Sequence, residues 1–218
     1  RRVRLRKASS WFFPIGQVGR GTNAPRLVLI KQSYDSVVAA QDHRQSALEL
    51  ANELHQETEQ LARLVRAYTA TGEPRYLLYY YDVLGVRQGE KAAPENFNPK
   101  SYWDDVIAGR LKHSVPKDGT KRSVADLMKS QGFSNDELLA LKRVIDATAE
   151  MNKIEQIAFA ATQGLYNPET SEFVSDGQPR LDFASKLVNS NAYHLRKADL
   201  SSAVAGLVMM TDQRTHAE

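Results

Sequence analysis

Residues 29–72 read LIKQSYDSVVAAQDHRQSALELANELHQETEQLARLVRAYTATG, and this stretch decides the fold class. It continues for more than 40 residues without Gly or Pro, and its apolar residues recur at helical spacing: Tyr34, Val37 and Val38, then Ala47, Leu50, Ala51 and Leu54, then Leu61, Leu64, Val65 and Tyr68. Steps of three and four place these side chains on one face of a helix. At 1.5 Å per residue, a helix from about Leu29 to Thr71 is about 60 Å long, against a mean globular helix of about 11 to 12 residues. Such lengths belong to coiled coils and elongated bundles. Gly72 and then Pro74 stop the helix and start the next, because glycine adopts the left-handed C-cap and proline suits the first helical turn.

Downstream the same grammar repeats. A second helix is predicted from Pro74 to about Gln88, and Gly89, Pro94, Asn96, Asn98 and Pro99 mark a loop. Short helices are predicted at Tyr102 to Ile107 and from a cap at Ser123 through Met128, with a loop at 109–120 between them. Ser134-Asn-Asp-Glu137 is a capping box, in which the serine oxygen takes the N3 amide while Glu137 reaches back to the N-cap amide. It opens a long helix, apolar at Leu138, Leu141, Ile145, Met151, Ile154, Ile157, Ala158 and Ala161 and ending at Gly164. A loop at 166–179, a helix from Arg180 to Val188, a break at Asn189 to Asn191 and a last helix from Ala192 complete the chain. No strand pattern and no internal repeat stands out. The expected fold is all-α: an elongated helical bundle with three long helices and shorter helices packed at one end.

Composition narrows the function. The 218 residues are 42% hydrophobic and 25% charged, with no Cys, which removes disulfide scaffolds, thiolate zinc sites, iron–sulfur clusters and cysteine nucleophiles. The longest aliphatic run near the start is Leu27 to Ile30, far short of the roughly 18 to 20 apolar residues that span a bilayer. The net charge is +3, yet residues 1–22 hold six Arg and Lys and no acid. Residues 23–218 therefore carry −3. A mildly acidic body is a poor footprint for nucleic acid. Residues 1–26 read as a basic, poorly ordered tail and 27–218 as one helical domain. A first residue of Arg rather than Met points to a fragment or a processed chain.

Catalytic and cofactor signatures are missing. There is no phosphate-binding glycine loop, no Gly-x-Ser-x-Gly and no His-Glu-x-x-His, and none of the five histidines pairs with a carboxylate or second His at metal-ligand spacing. Neither a metal nor a cofactor is expected. What remains is a set of aromatic and cationic residues. Tyr76, Tyr79, Tyr80 and Tyr81 with Tyr102 and Trp103 form the densest aromatic concentration; they read either as core packing or as the walls of a small-ligand pocket. Arg63 and Arg66 lie among core positions of the first helix, and Tyr193 and Lys197 lie on the last. Each cation is either a snorkelling surface residue or a partner for a carboxylate or phosphate. If these helices are neighbours, Arg66, Tyr80, Tyr193 and Lys197 converge on a small anionic or polar ligand, with Arg63, Tyr76 and Trp103 beside them.

The stretch Leu61-Ala-Arg-Leu-Val-Arg-Ala-Tyr-Thr-Ala-Thr-Gly-Glu-Pro-Arg-Tyr76, then Tyr80-Tyr-Asp-Val-Leu-Gly-Val-Arg-Gln-Gly-Glu-Lys91, Pro94-Glu95 and Tyr102-Trp103-Asp104 resembles the extracytoplasmic sensor regions of bacterial transmembrane signalling proteins: histidine kinases, chemoreceptors, and diguanylate or adenylate cyclases. Ser123 to Leu138, Gly164-Leu-Tyr166 and Tyr193 to Ala198 fit the same pattern, which covers about Gln32 to Arg214. The resemblance implies a periplasmic, non-enzymatic helical domain between two transmembrane helices, the last helix feeding a HAMP linker and a cytoplasmic effector. It places one membrane span before Gln32 and the other after Glu218. The length of the first helix suits a parallel homodimer. The rival readings are a structural or adaptor bundle that binds only protein partners, and a helical enzyme, which requires buried carboxylates or histidines converging in a cleft.

Overall fold

The computed structural model describes residues 23–98 and 101–217 and, within them, the side chains from residue 31 onward. The chain divides into two units, residues 1–41 and residues 42–218. Seven helices and one two-stranded sheet are found among the described residues: α1 (Asn23–Thr71), α2 (Pro74–Gln88), α3 (Tyr102–Ile107), α4 (Val124–Ser130), α5 (Asn135–Thr162), β1 (Tyr166–Asn167), β2 (Glu172–Phe173), α6 (Leu181–Leu187) and α7 (Asn191–Ala217). The protein is therefore mainly α-helical, as its periodicity predicts.

Most boundaries follow from local chemistry. Gly72 ends α1 at φ +70° and its amide donates to the Tyr68 carbonyl at 2.7 Å; Pro74 then opens α2. The Ser123 hydroxyl accepts from the Asp126 amide at 3.1 Å to cap α4. At α5 both halves of the capping box form, with Ser134 N donating to Glu137 at 2.7 Å and Glu137 N to the Ser134 hydroxyl at 3.2 Å. The expected tail at 1–26 lies outside the described residues except for 23–26, which form the first turn of α1. That helix thus starts ahead of the expected Leu29, with Pro25 in a turn where its missing N–H has no intrahelical partner to lose. The loop expected at 166–179 contains a short antiparallel pair, Tyr166 opposite Phe173 and Asn167 opposite Glu172. Two residues per strand are too few to produce a period-2 pattern, and the pair is held by an edge-on Tyr166–Phe173 contact at 5.3 Å.

Within residues 42–217 the apolar stripes meet in one core. Leu64 and Val65 of α1, Tyr80 and Val83 of α2, Leu141, Val144 and Ala158 of α5, and Val204 and Leu207 of α7 are buried together. Each such aliphatic side chain contributes about 1.5–3 kcal/mol. Helix α5 packs along α7 and against α6. Polar contacts tie α1 to its neighbours: Glu57 to Arg87 of α2 at 3.0 Å, Arg63 to Asp104 of α3 at 2.7 Å, and Glu59 to Lys197 of α7. In the unit before residue 42, Tyr34 and Val37, which open the apolar stripe of the first helix, are 68% and 63% exposed. Periodicity says which residues share a face, and leaves open whether anything covers it.

Candidate functional site

A cavity of about 690 Å³ lies between α2 and α5. That is the size of a small-molecule site. One wall is Tyr81, Leu84, Gly85 and Gln88 of α2; the facing wall is Ile145, Thr148, Ala149, Asn152 and Gln156 of α5, at the three- and four-residue steps of one helix face. Ser123, Val124 and Ala125 at the start of α4 close one side. Gly89 makes that closure possible. It ends α2 at φ +77°, and a Cβ there would stand 2.6 Å from the Ser123 amide nitrogen, so only glycine allows the 122–123 backbone to lie against the helix end.

A chain of hydrogen bonds leads from this cavity into the core. Asn152 Nδ2 donates to the Tyr80 hydroxyl at 2.8 Å, the Tyr80 hydroxyl donates to Glu155 Oε2, and the Tyr193 hydroxyl of α7 donates to Glu155 Oε1 at 3.1 Å. On the cavity side Gln156 Nε2 donates to the Tyr81 hydroxyl oxygen at 3.0 Å. Glu155 is 5% exposed, and among the described residues its two oxygens are held by tyrosine hydroxyls and not by an ion pair. Burial raises its carboxyl above the ordinary value, and the two tyrosine hydrogen bonds only partly offset this. Both tyrosine hydroxyls are raised as well, first by burial and then by the Glu155 charge. All three groups therefore resist losing their protons.

A second polar cluster ties the loop after α3 to α2. Asp82, 5% exposed, accepts from Lys91 Nζ at 2.5 Å and pairs with His113 Nε2 at 2.7 Å. His113 Nδ1 lies 2.8 Å from the Tyr102 hydroxyl, and the rings of Tyr79, Tyr102 and Trp103 surround the imidazole at 4.9–5.9 Å. A histidine whose Nε2–H donates to a carboxylate leaves Nδ1 to accept from the tyrosine. Histidine and carboxylate pair here although they stand 31 residues apart in sequence, a contact made by the loop and not by any local ligand spacing.

The seven residues singled out from sequence are distributed as follows. Tyr80 and Tyr193 come together, but on the protein's own Glu155. Arg66 is exposed, near enough to Tyr193 for its charge to counter part of the upward shift there, which is led by burial. Lys197 pairs with Glu59, and Arg63 with Asp104. Tyr76 carries the Arg75 guanidinium 4.6 Å above its ring, and Trp103 packs on Tyr79 and His113. None of the seven lines the cavity between α2 and α5; Arg63 and Trp103 line a smaller one of about 330 Å³. The residues missed are Glu155, Asn152, Gln156, Asp82 and His113. One signal was present: Met151, Glu155, Ala158 and Thr162 recur at helical spacing and all four are buried, so Glu155 sits inside an apolar stripe.

Among the described residues no group of three or more His, Asp or Glu side chains is arranged to hold a metal ion, and no helix is long and apolar enough to cross a membrane. No family model, curated protein or solved structure matches the chain.

Proposed function

We propose that this chain is the extracytoplasmic ligand-sensing domain of a bacterial transmembrane signalling protein, built as a bundle on the three longest helices. A small molecule enters the cavity between α2 and α5, and the resulting shift of those helices is passed to α7 and from there toward the membrane. The observation that carries this reading is the continuity of cavity and output helix. Asn152, in the cavity wall, starts the hydrogen-bond chain that ends on Tyr193 of α7. A ligand that moves Asn152 perturbs α7 through groups too buried to be replaced by water. Its effect is limited by its differential affinity for the two helix arrangements. The exposed Tyr34 and Val37 of α1 suit a homodimer seam, which also fits signalling through paired helices.

A thermal-shift screen of amino acids, organic acids, amides and heteroaromatic compounds tests the reading. A true ligand at a hundredfold its Kd stabilises by about 2.7 kcal/mol, a shift of about 5–10 °C for a domain of this size. The cavity-filling substitution Ala149→Trp abolishes that shift. A screen in which no compound stabilises the protein, or in which stabilisation survives Ala149→Trp, refutes ligand sensing through this cavity and leaves the adaptor reading.

A further inference from the structure

We infer that the cavity between α2 and α5 takes an uncharged ligand: an apolar, flat body bearing one amide-like edge with adjacent donor and acceptor. This rests on the sensing reading of that cavity and adds the chemistry of what it senses.

Both cations in the wall are already paired with carboxylates. Arg87, whose side chain is 5% exposed, donates to Glu57 at 3.0 Å and to the Thr58 hydroxyl at 3.2 Å. Lys91 is held by Asp82 at 2.5 Å. An anionic ligand would have to share cations that Glu57 and Asp82 already neutralise, and so gains less from them than from an unpaired cation. Glu90, the other charged wall residue, is exposed at the rim, where water screens it, so it offers a cationic ligand little.

The uncharged groups are arranged differently. Gln156 Nε2 gives its protons to the Tyr81 hydroxyl at 3.0 Å and, more weakly, to Asn152 Oδ1 at 3.4 Å. Its Oε1 accepts no hydrogen bond among the described residues, and the Tyr81 hydroxyl, having accepted from Gln156, still has its own proton to donate. An acceptor and a donor therefore stand side by side at one end of the cavity. Leu84, Val124, Ile145 and Ala149 supply the apolar remainder. A carboxamide or lactam edge satisfies both groups at once. A carboxylate satisfies only the tyrosine and places its charge against the Gln156 oxygen; an ammonium satisfies only the glutamine.

Three probes with one indole body separate these cases: indole-3-acetamide, indole-3-acetate and tryptamine, titrated into the whole chain by calorimetry and by protein-observed NMR of the Asn and Gln side-chain amides. The acetamide is expected to bind at least about tenfold more tightly than either charged probe, a difference of about 1.4 kcal/mol, and to shift the Gln156 amide. Gln156→Leu brings the three affinities within about threefold of one another, and Ala149→Trp at the rim removes binding of all three. Both variants are checked for an unchanged circular dichroism spectrum, with Ile145→Trp as the second cavity-filling variant. Equal or tighter cavity binding of the acetate or of tryptamine overturns the uncharged-ligand inference while leaving the sensing reading standing. Failure of the acetamide to bind at millimolar concentration, or binding that survives both cavity-filling variants, also overturns it; the sensing reading is then judged by its own broader screen.

Discussion

Glu155→Gln converts the buried carboxyl into an uncharged group of nearly the same shape, and its effect on stability depends on pH in a way the structure dictates. Glu155 is 5% exposed and has two tyrosine donors, and its carboxyl is raised above the ordinary glutamate value of 4.5 chiefly by burial. From 4.5 up to its raised value, the folded chain holds a proton that the unfolded chain has released. Stability therefore falls with rising pH through that window, at up to about 1.4 kcal/mol per pH unit for one proton. Glutamine has no proton to lose. Below the window both groups are uncharged and each turns one proton-bearing atom toward a tyrosine, so the two proteins differ by no more than about one hydrogen bond, about 0.5–1.5 kcal/mol. Above the window the variant gains, since no charge has to be buried. The assay is urea denaturation of both proteins at half-unit steps from pH 4.5 to 8.5, taking the stability difference between them at each pH so that every other titrating group cancels. The difference should rise in favour of glutamine with increasing pH and then level off. A flat difference, or one that moves against glutamine as pH rises, refutes the reasoning: it would mean that the tyrosines stabilise the carboxylate more than burial penalises it.

Two further substitutions probe how the helices are fixed. Glu137→Ala removes both a capping-box carboxylate and the partner of Arg214 at 2.7 Å. The expected cost is about 3–5 kcal/mol, read as a fall in denaturation midpoint. Burial acts to raise this carboxyl, but the Ser134 amide and Arg214 outweigh it and hold it below its ordinary value; its contribution is present above pH 4.5 and disappears as pH falls through the lowered value, a slope that the variant lacks. Gly89→Ala places a Cβ at φ +77° and 2.6 Å from the Ser123 amide nitrogen. A loss of about 2 kcal/mol or more is expected in calorimetry, with chemical-shift changes centred on 122–125 at the cavity edge; an unchanged melting temperature would show that the 122–123 backbone does not need this close approach.

Much of the fold is legible in the chain itself because its determinants are local. The glycine and proline at 72 and 74, the serine caps at 123 and 134 and the three- and four-residue apolar steps each act within about one helical turn, so every helix could be located before any packing was known. The candidate site was less legible for the same reason. Tyr80 and Tyr193 are recognisable as aromatics with polar tips, but what their hydroxyls reach is a carboxylate on a third helix, 75 and 38 residues away. Lys197 reads in sequence either as a surface cation or as a partner for an anion, and that its partner is Glu59 depends on α1 lying beside α7. His113 and Asp82 carry no mutual spacing at all, and a loop joins them.

By itself, then, the sequence determined, apart from the start of α1, about where the helices of this protein begin and end and which face of each is apolar, since both are written in residues near one another. Only the tertiary structure decided which cations remain available, which carboxyl is deprived of water, and where two helix faces part to leave a cavity. Those depend on the distance between side chains far apart in the chain and on the exclusion of solvent between them, and neither is a property of any local stretch of sequence.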